Sequence, residues 1–206
     1  LLTARLCHDL IGPVGAVNNG LELLAEDALD DREEAVTLAA TSGERARTVL
    51  EFHRAAMGRA GDDLDGRVQQ IRELAGAFAA LQRATLHADT EGLRHSEVRG
   101  AARLTLNLVA LAADTLPRGG EIALYAATGP PFRIEARAVG TNAGLGEALR
   151  PALDPGLGVE ELTARTVQAH YTALVAQRVG AELHTEELPG CCRLIALGPE
   201  GAAAQP

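Results

Sequence analysis

Residues Leu6–Leu24 read LCHDLIGPVGAVNNGLELL. Their apolar side chains recur at three- and four-residue steps, the spacing of one face of an α-helix. Yet the run contains Pro13 and the glycines Gly12, Gly15 and Gly20. Inside a helix each glycine costs about 1 kcal/mol relative to alanine and a proline about 3 kcal/mol. In heptad terms Leu6, Pro13 and Gly20 take d, Leu10, Val17 and Leu24 take a, and Val14, Leu21 and Ala28 take e. Such a stripe suits a helical bundle. In the acidic stretch Ala25–Ala35, Asp30 or Asp31 can cap a second helix, and Glu33 and Glu34 favour its positive first turn. Within that helix Leu38, Ser42, Val49, Phe52 and Ala56 repeat the same steps. Residues 1–60 are therefore expected to form an antiparallel helical hairpin. A lone hairpin cannot bury both stripes, and the long, narrow a/d/e stripe favours pairing of two copies into a four-helix bundle, a homodimer.

After GRAGDDLDG (Gly58–Gly66), read as a linker, the pattern becomes mixed. Helices are expected at Arg67–Gln82, Ser96–Leu116 and Val159–Val179. Strands are expected at Ala84–Ala88, Glu121–Ala127, Phe132–Ala138, Ala181–Glu187 and Cys191–Leu197. This order predicts an α+β sandwich over residues 61–198, a sheet with helices on one face. The tail, residues 199–206, reads as disordered.

Composition excludes several functions. With 206 residues and 47% of them apolar, the chain can build a substantial core. No apolar run approaches the roughly 18 residues that span a bilayer, and the first residues lack the pattern of a signal peptide, so the expected location is the cytoplasm. Cys7, Cys191 and Cys192 follow no disulfide or zinc spacing and are expected to be free, with no metal site. A net charge of −9 argues against a nucleic-acid surface. All 19 basic residues are Arg. The absence of lysine removes Walker-A loops, Schiff-base chemistry and the protein-kinase fold. With two serines and no G-x-S-x-G, a serine hydrolase is excluded as well.

His8 falls at heptad f, opposite the apolar stripe, among Arg5, Asp9, Gly12, Gly15, Ala16 and Asn19. A lone surface histidine usually does nothing. Here Pro13 should bend the helix just after His8, and the glycines strip side chains from the same face. The result is a smooth platform that a second protein can approach.

The string His8-Asp9-Leu10-Ile11-Gly12-Pro13 resembles the H-box of two-component histidine kinases, and the longer HDLIGPVGAVNNGLELL resembles the first helix of the ChpT-type histidine phosphotransferases of alphaproteobacterial phosphorelays. The resemblance implies a dimerising hairpin followed by a degenerate kinase ATP-binding (Bergerat) domain. It also implies that His8 accepts a phosphoryl group, that Asp9 orients the ring or takes its proton, and that Arg5 screens phosphoryl charge. Ile11, Gly12, Pro13, Gly15, Ala16 and Asn19 would meet the partner. Arg47 and Arg54 on the second helix are expected near His8, because antiparallel pairing brings residue 51 level with it.

Departures from the kinase pattern favour a carrier. The second asparagine of the kinase nucleotide motif, four residues after Asn107, is Leu111, and Ala138-Val139-Gly140 lacks the adenine-reading carboxylate. GLGV (Gly156–Val159) reads as a relic turn. The expected function is relay of a phosphoryl group between receiver aspartates without ATP. The carrier holds no cofactor of its own, and Mg2+ comes from the partner receiver. The resemblance implies a CckA-like hybrid kinase upstream and CtrA-like and CpdR-like regulators downstream, with no nucleic-acid or membrane partner. The rival readings are an ATP-dependent sensor kinase core and a non-catalytic receiver-docking module.

Overall fold

The structure is a computed structural model, which describes residues 1–25, 32–96, 98–127 and 131–199. Ala28, the cap expected at Asp30 or Asp31, and the tail from 200 onward lie outside these residues.

Two long helices lead. Helix α1 (Leu2–Ala25) runs unbroken through Pro13, and α2 (Arg32–Met57) packs along it. Gly20 fixes how closely they approach: a Cβ there would sit 2.8 Å from the Ala35 carbonyl and 3.0 Å from Ala39. It is the only buried residue of α1. Ile11, Val14 and Leu21 on α1, and Val36, Leu38 and Leu50 on α2, stay exposed in the single chain.

The C-terminal half of α2 enters the main core. Phe52, Ala55 and Ala56 are buried, and the Phe52 ring stacks on Phe78 of α3 (Val68–Leu81) with centroids 3.8 Å apart. The stretch expected as a linker is a 3-10 helix, Arg59–Leu64, whose Gly61 and Leu64 are buried. Gly61 lies so close to the Ala55 carbonyl that a Cβ would meet it at 2.2 Å. The hairpin and the sandwich therefore share one core, and the boundary near residue 60 is a packed joint.

The sandwich has one five-stranded sheet: β1 (Ala84–Asp89), β2 (Gly120–Ala127), β3 (Arg133–Val139), β4 (Glu182–Leu188) and β5 (Cys191–Leu197), in the order β1-β2-β3-β5-β4. Only β1 and β2 run parallel, because α4 (Ala101–Asp114) carries the chain between them. Period-two alternation turns Ile122, Leu124 and Ala126 of β2, and Ile134, Ala136 and Ala138 of β3, toward the helices. Helix α4 lies at the centre, with every residue from Ala101 to Ala113 buried. A helix enclosed on all sides needs nearly continuous apolar or small residues, and ARLTLNLVALAA supplies them.

Three boundaries differ from the periodic pattern. Helix α4 begins at Ala101 because Gly100 takes φ +87° and the Asp65 carboxylate accepts hydrogen bonds from the N–H groups of Gly100 (2.7 Å) and Ala102 (3.0 Å). The region expected as helix from Val159 instead holds a 3-10 turn, Val159–Glu161, and follows a short helix α5 (Leu149–Ala152). Helix α6 (Val167–Arg178) starts where Thr163 and Thr166 exchange hydrogen bonds, each backbone N–H donating to the other's hydroxyl.

Asn107 locks the helical layer. Its Nδ2 donates to the carbonyls of Ala56 (2.7 Å) and Arg103 (2.8 Å), and its Oδ1 accepts from Gln168 Nε2 (2.9 Å). The residue that resembles a nucleotide ligand thus ties α2, α4 and α6 together, and Leu111 one turn on is wholly buried. Asn107→Ala should lower stability by about 2 to 4 kcal/mol, since it removes three buried hydrogen bonds, among them the nearer of the two acceptors of Gln168 Nε2, and leaves a small cavity. Urea unfolding measures this, and a midpoint equal to wild type would contradict the role.

Candidate active site

His8 projects from the outer face of α1 with its side chain 82% exposed. The residues around it are not the solvated set expected. Arg5 and Asp9 are largely buried, at 13% and 12% exposure, because the sandwich packs against that flank of α1. Their charges are paired. Arg5 donates through Nε to Asp9 Oδ2 (3.1 Å), and through Nη2 and Nη1 to the two carboxylate oxygens of Asp114 (2.7 and 3.3 Å) at the end of α4. The guanidinium is thereby committed to two carboxylates and holds Asp9 in place.

Asp9 is the hub. Burial alone would raise its pKa, but the hydrogen bond from His53, the charge of Arg5 and the hydrogen bond to His8 together lower it to about 2. An ionised carboxylate only accepts hydrogen bonds. The contact between Asp9 Oδ1 and His8 Nδ1, at 3.2 Å, therefore places the ring proton on Nδ1. This leaves the Nε2 lone pair of His8 free and facing solvent, the tautomer of a nucleophile.

His53, given no role by the sequence pattern, is the fourth member. It is buried on α2, donates from Nε2 to Asp9 Oδ2 (3.1 Å), and meets the rings of Phe52 and Phe78 edge-on. At the level of α2 that antiparallel register sets opposite His8, the side chain that meets Asp9 is His53. Arg47 pairs with Glu44 and Glu51, and Arg54 lines an apolar groove with Leu2, Leu6 and Leu50. Neither contacts His8. His53 was discoverable from spacing, since it lies one turn from Val49 and Ala56 on the buried face of α2. Burial also pushes the Asp114 carboxyl up, against the opposing pull of Arg5.

The low Asp9 pKa carries a stability consequence with a definite sign. Because the folded value lies below the 3.8 of an ordinary aspartate, the stabilisation is complete above that pH and is lost as the pH falls toward 2. It amounts to about 2 kcal/mol. Asp9→Asn should therefore be less stable than wild type near neutral pH. The gap should narrow as the pH drops from 3.8 toward 2, followed by urea unfolding at stepped pH. A gap that stays constant would contradict the pairing.

Gly12 and Gly15 lie on the same side of α1. A Cβ built at either would meet nothing within 4 Å, in contrast to Gly20. Neither glycine is required by packing within the chain. Ile11 beside them is 77% exposed, Asn19 is exposed, and Pro13 and Ala16 are half-buried. Among the described residues, no group of three or more His, Cys, Asp or Glu side chains is arranged to hold a metal, and no helix is long and apolar enough to cross a membrane.

Comparison with known proteins places this geometry. Residues 68–188 match the histidine phosphotransferase C-terminal domain family. The chain is 34% identical over 196 residues to the protein phosphotransferase ChpT of Brucella abortus (strain 2308), with 89% of this chain and 87% of that protein covered. Its fold matches a bacterial phosphotransferase structure at a TM-score of 0.75 and 24% identity, covering 95% of this chain and 93% of that one. The α+β architecture, the exposed histidine on its hairpin and the relatives agree: the chain belongs to the histidine phosphotransferase family and is a phosphotransferase of two-component phosphorelays.

Proposed function

We propose that His8 carries the phosphoryl group, taking it from the aspartyl phosphate of one receiver domain and passing it to the aspartate of another. The observation that carries this reading is an accessible imidazole beside two glycines that serve no packing purpose within the chain. Each glycine weakens the helix by about 1 kcal/mol. The return is close approach of a partner to Nε2.

In the transfer, the Nε2 lone pair attacks phosphorus, the N–P bond forms as the P–O bond to the aspartate breaks, and the electron pair leaves with the carboxylate. The imidazole keeps its Nδ1 proton and gains positive charge, which the Asp9 carboxylate stabilises while fixing the ring plane. The second transfer reverses these events on another receiver. The transition state is loose and depends on alignment and charge neutralisation. The receiver's acidic pocket supplies the Mg2+, and the carrier holds no cofactor of its own. By family likeness the donor is a CckA-like hybrid kinase and the acceptors are CtrA-like and CpdR-like regulators in the cytoplasm.

The working unit is a homodimer. The apolar groove along Leu2, Leu6 and Leu50, continued by the exposed Val14 and Leu21, gives each hairpin a face for a second copy. The sandwich has no catalytic part. Asn107 is consumed by internal hydrogen bonds and Leu111 stands where a metal-ligating asparagine would be, so ATP should not be a phosphoryl donor.

The test is incubation with two labelled donors. A receiver carrying radiolabelled phosphate should transfer label to the chain within minutes, whereas labelled Mg-ATP should transfer none. Label from ATP would favour the sensor-kinase reading, and no label from either would favour a docking module.

A further inference from the structure

The end of α4 remote from the site described above opens onto a second feature. A cavity of about 510 Å³ lies between the 59–64 turn, the start of α4 and the end of α6, lined by Arg59, Asp62, Arg99, Arg103, Arg178 and the glycine that precedes α4. Four guanidiniums thus converge in a protein whose net charge is −9. One carboxylate opposes them: Asp62 accepts from Arg103 Nη2 at 2.7 Å. Among the described residues, Arg59, Arg99 and Arg178 have no ion-pair partner. Arg103 is the telling member. It is 7% exposed, yet its Nε finds no hydrogen-bond acceptor. A buried guanidinium N–H without an acceptor costs on the order of 1 to 3 kcal/mol, and like charges gathered around it add repulsion. An anion in the cavity offsets that repulsion.

We propose that this cavity binds a diphosphate group. The guanidinium fork matches phosphoryl oxygens in pairs, which is why arginine rather than lysine serves such sites. The space exceeds what one phosphate fills, and a diphosphate brings charge enough for three unpaired guanidiniums. The site is separate from the degraded nucleotide motif, whose Leu111 and Ala138–Gly140 belong to the other end of α4. Its ligand would contact the joint between hairpin and sandwich, since Arg59 and Asp62 sit on the turn that follows α2. It is independent of the phosphoryl-transfer reading.

Diphosphate occurs as the inorganic ion and as the tail of a nucleoside diphosphate, and titrating both separates the sources. Calorimetry of the full chain with inorganic pyrophosphate and with ADP, in magnesium-free buffer, is the experiment. Saturable binding of at least one, weakened tenfold or more in the double variant Arg99→Gln, Arg178→Gln, is expected. Both positions are exposed, so thermal unfolding of the variant without ligand should match wild type. Tighter binding of ADP would identify a nucleotide ligand, and equal or tighter binding of pyrophosphate the inorganic ion. Absence of saturable heat up to millimolar concentration with either ligand would overturn the proposal, as would unchanged affinity in the folded double variant.

Discussion

His8→Ala is expected to abolish phosphoryl acceptance while leaving the fold intact. The side chain is 82% exposed, so its loss opens no cavity. Alanine is the better helix former by roughly half a kcal/mol, so unfolding should occur at the same or slightly higher denaturant concentration. The Asp9 carboxylate keeps its hydrogen bonds from Arg5 and His53 and stays paired. Chemistry has no fallback. His53, which shares the Asp9 carboxylate, is buried at 4% exposure with Nε2 already committed, so it cannot reach an incoming phosphorus. Label uptake from a phosphorylated receiver should fall to background, with circular dichroism as the folding control. Uptake by the folded variant would show that α1 does not carry the nucleophile.

Val17→Asp should divide the proposed homodimer. Val17 sits at the middle of the α1 stripe and is half-buried within one chain, so the substitution is tolerable in a monomer. In a four-helix bundle it places a carboxylate from each copy in the shared core. At about 3 kcal/mol for each unpaired buried charge, the penalty per dimer is about 6 kcal/mol, enough to weaken association roughly ten-thousandfold. Sedimentation at micromolar concentration should show wild type as a dimer and the variant as a helical monomer. A wild-type monomer at that concentration would contradict the bundle.

The helical hairpin was legible because α1 and α2 follow the 3.6-residue period over many turns, with little competing signal. The strands were legible from alternation, and all five agree with the structure to within one residue at each end. What sequence could not supply is long-range pairing. Nothing local in GRAGDDLDG shows that Gly61 will press against Ala55, because the cause is a carbonyl on another helix. Arg5 and Asp9 read as surface residues because heptad position describes one hairpin, and the burying surface comes from Asp114, 109 residues away. Spacing puts His53 on the buried face of α2, but its partner, 44 residues distant, is not visible locally. The α6 start was misplaced because the Thr163–Thr166 exchange competes locally with the helical period and prevails. His8 itself needed no long-range information. Its setting is visible in the eight residues His8–Gly15, since Gly12 and Gly15 weaken a helix that gains nothing internally from them.

The most direct measurement of the central claim is the location of the phosphate. The chain is incubated with a phosphorylated receiver, digested under alkaline conditions that preserve phosphohistidine, and its peptides are sequenced by mass spectrometry. The phosphoryl group is expected on His8, in the peptide spanning Leu6 to the next Arg, at Arg32. Phosphate on any other histidine, or a chain that stays unlabelled while the receiver loses its phosphate to water, would contradict it.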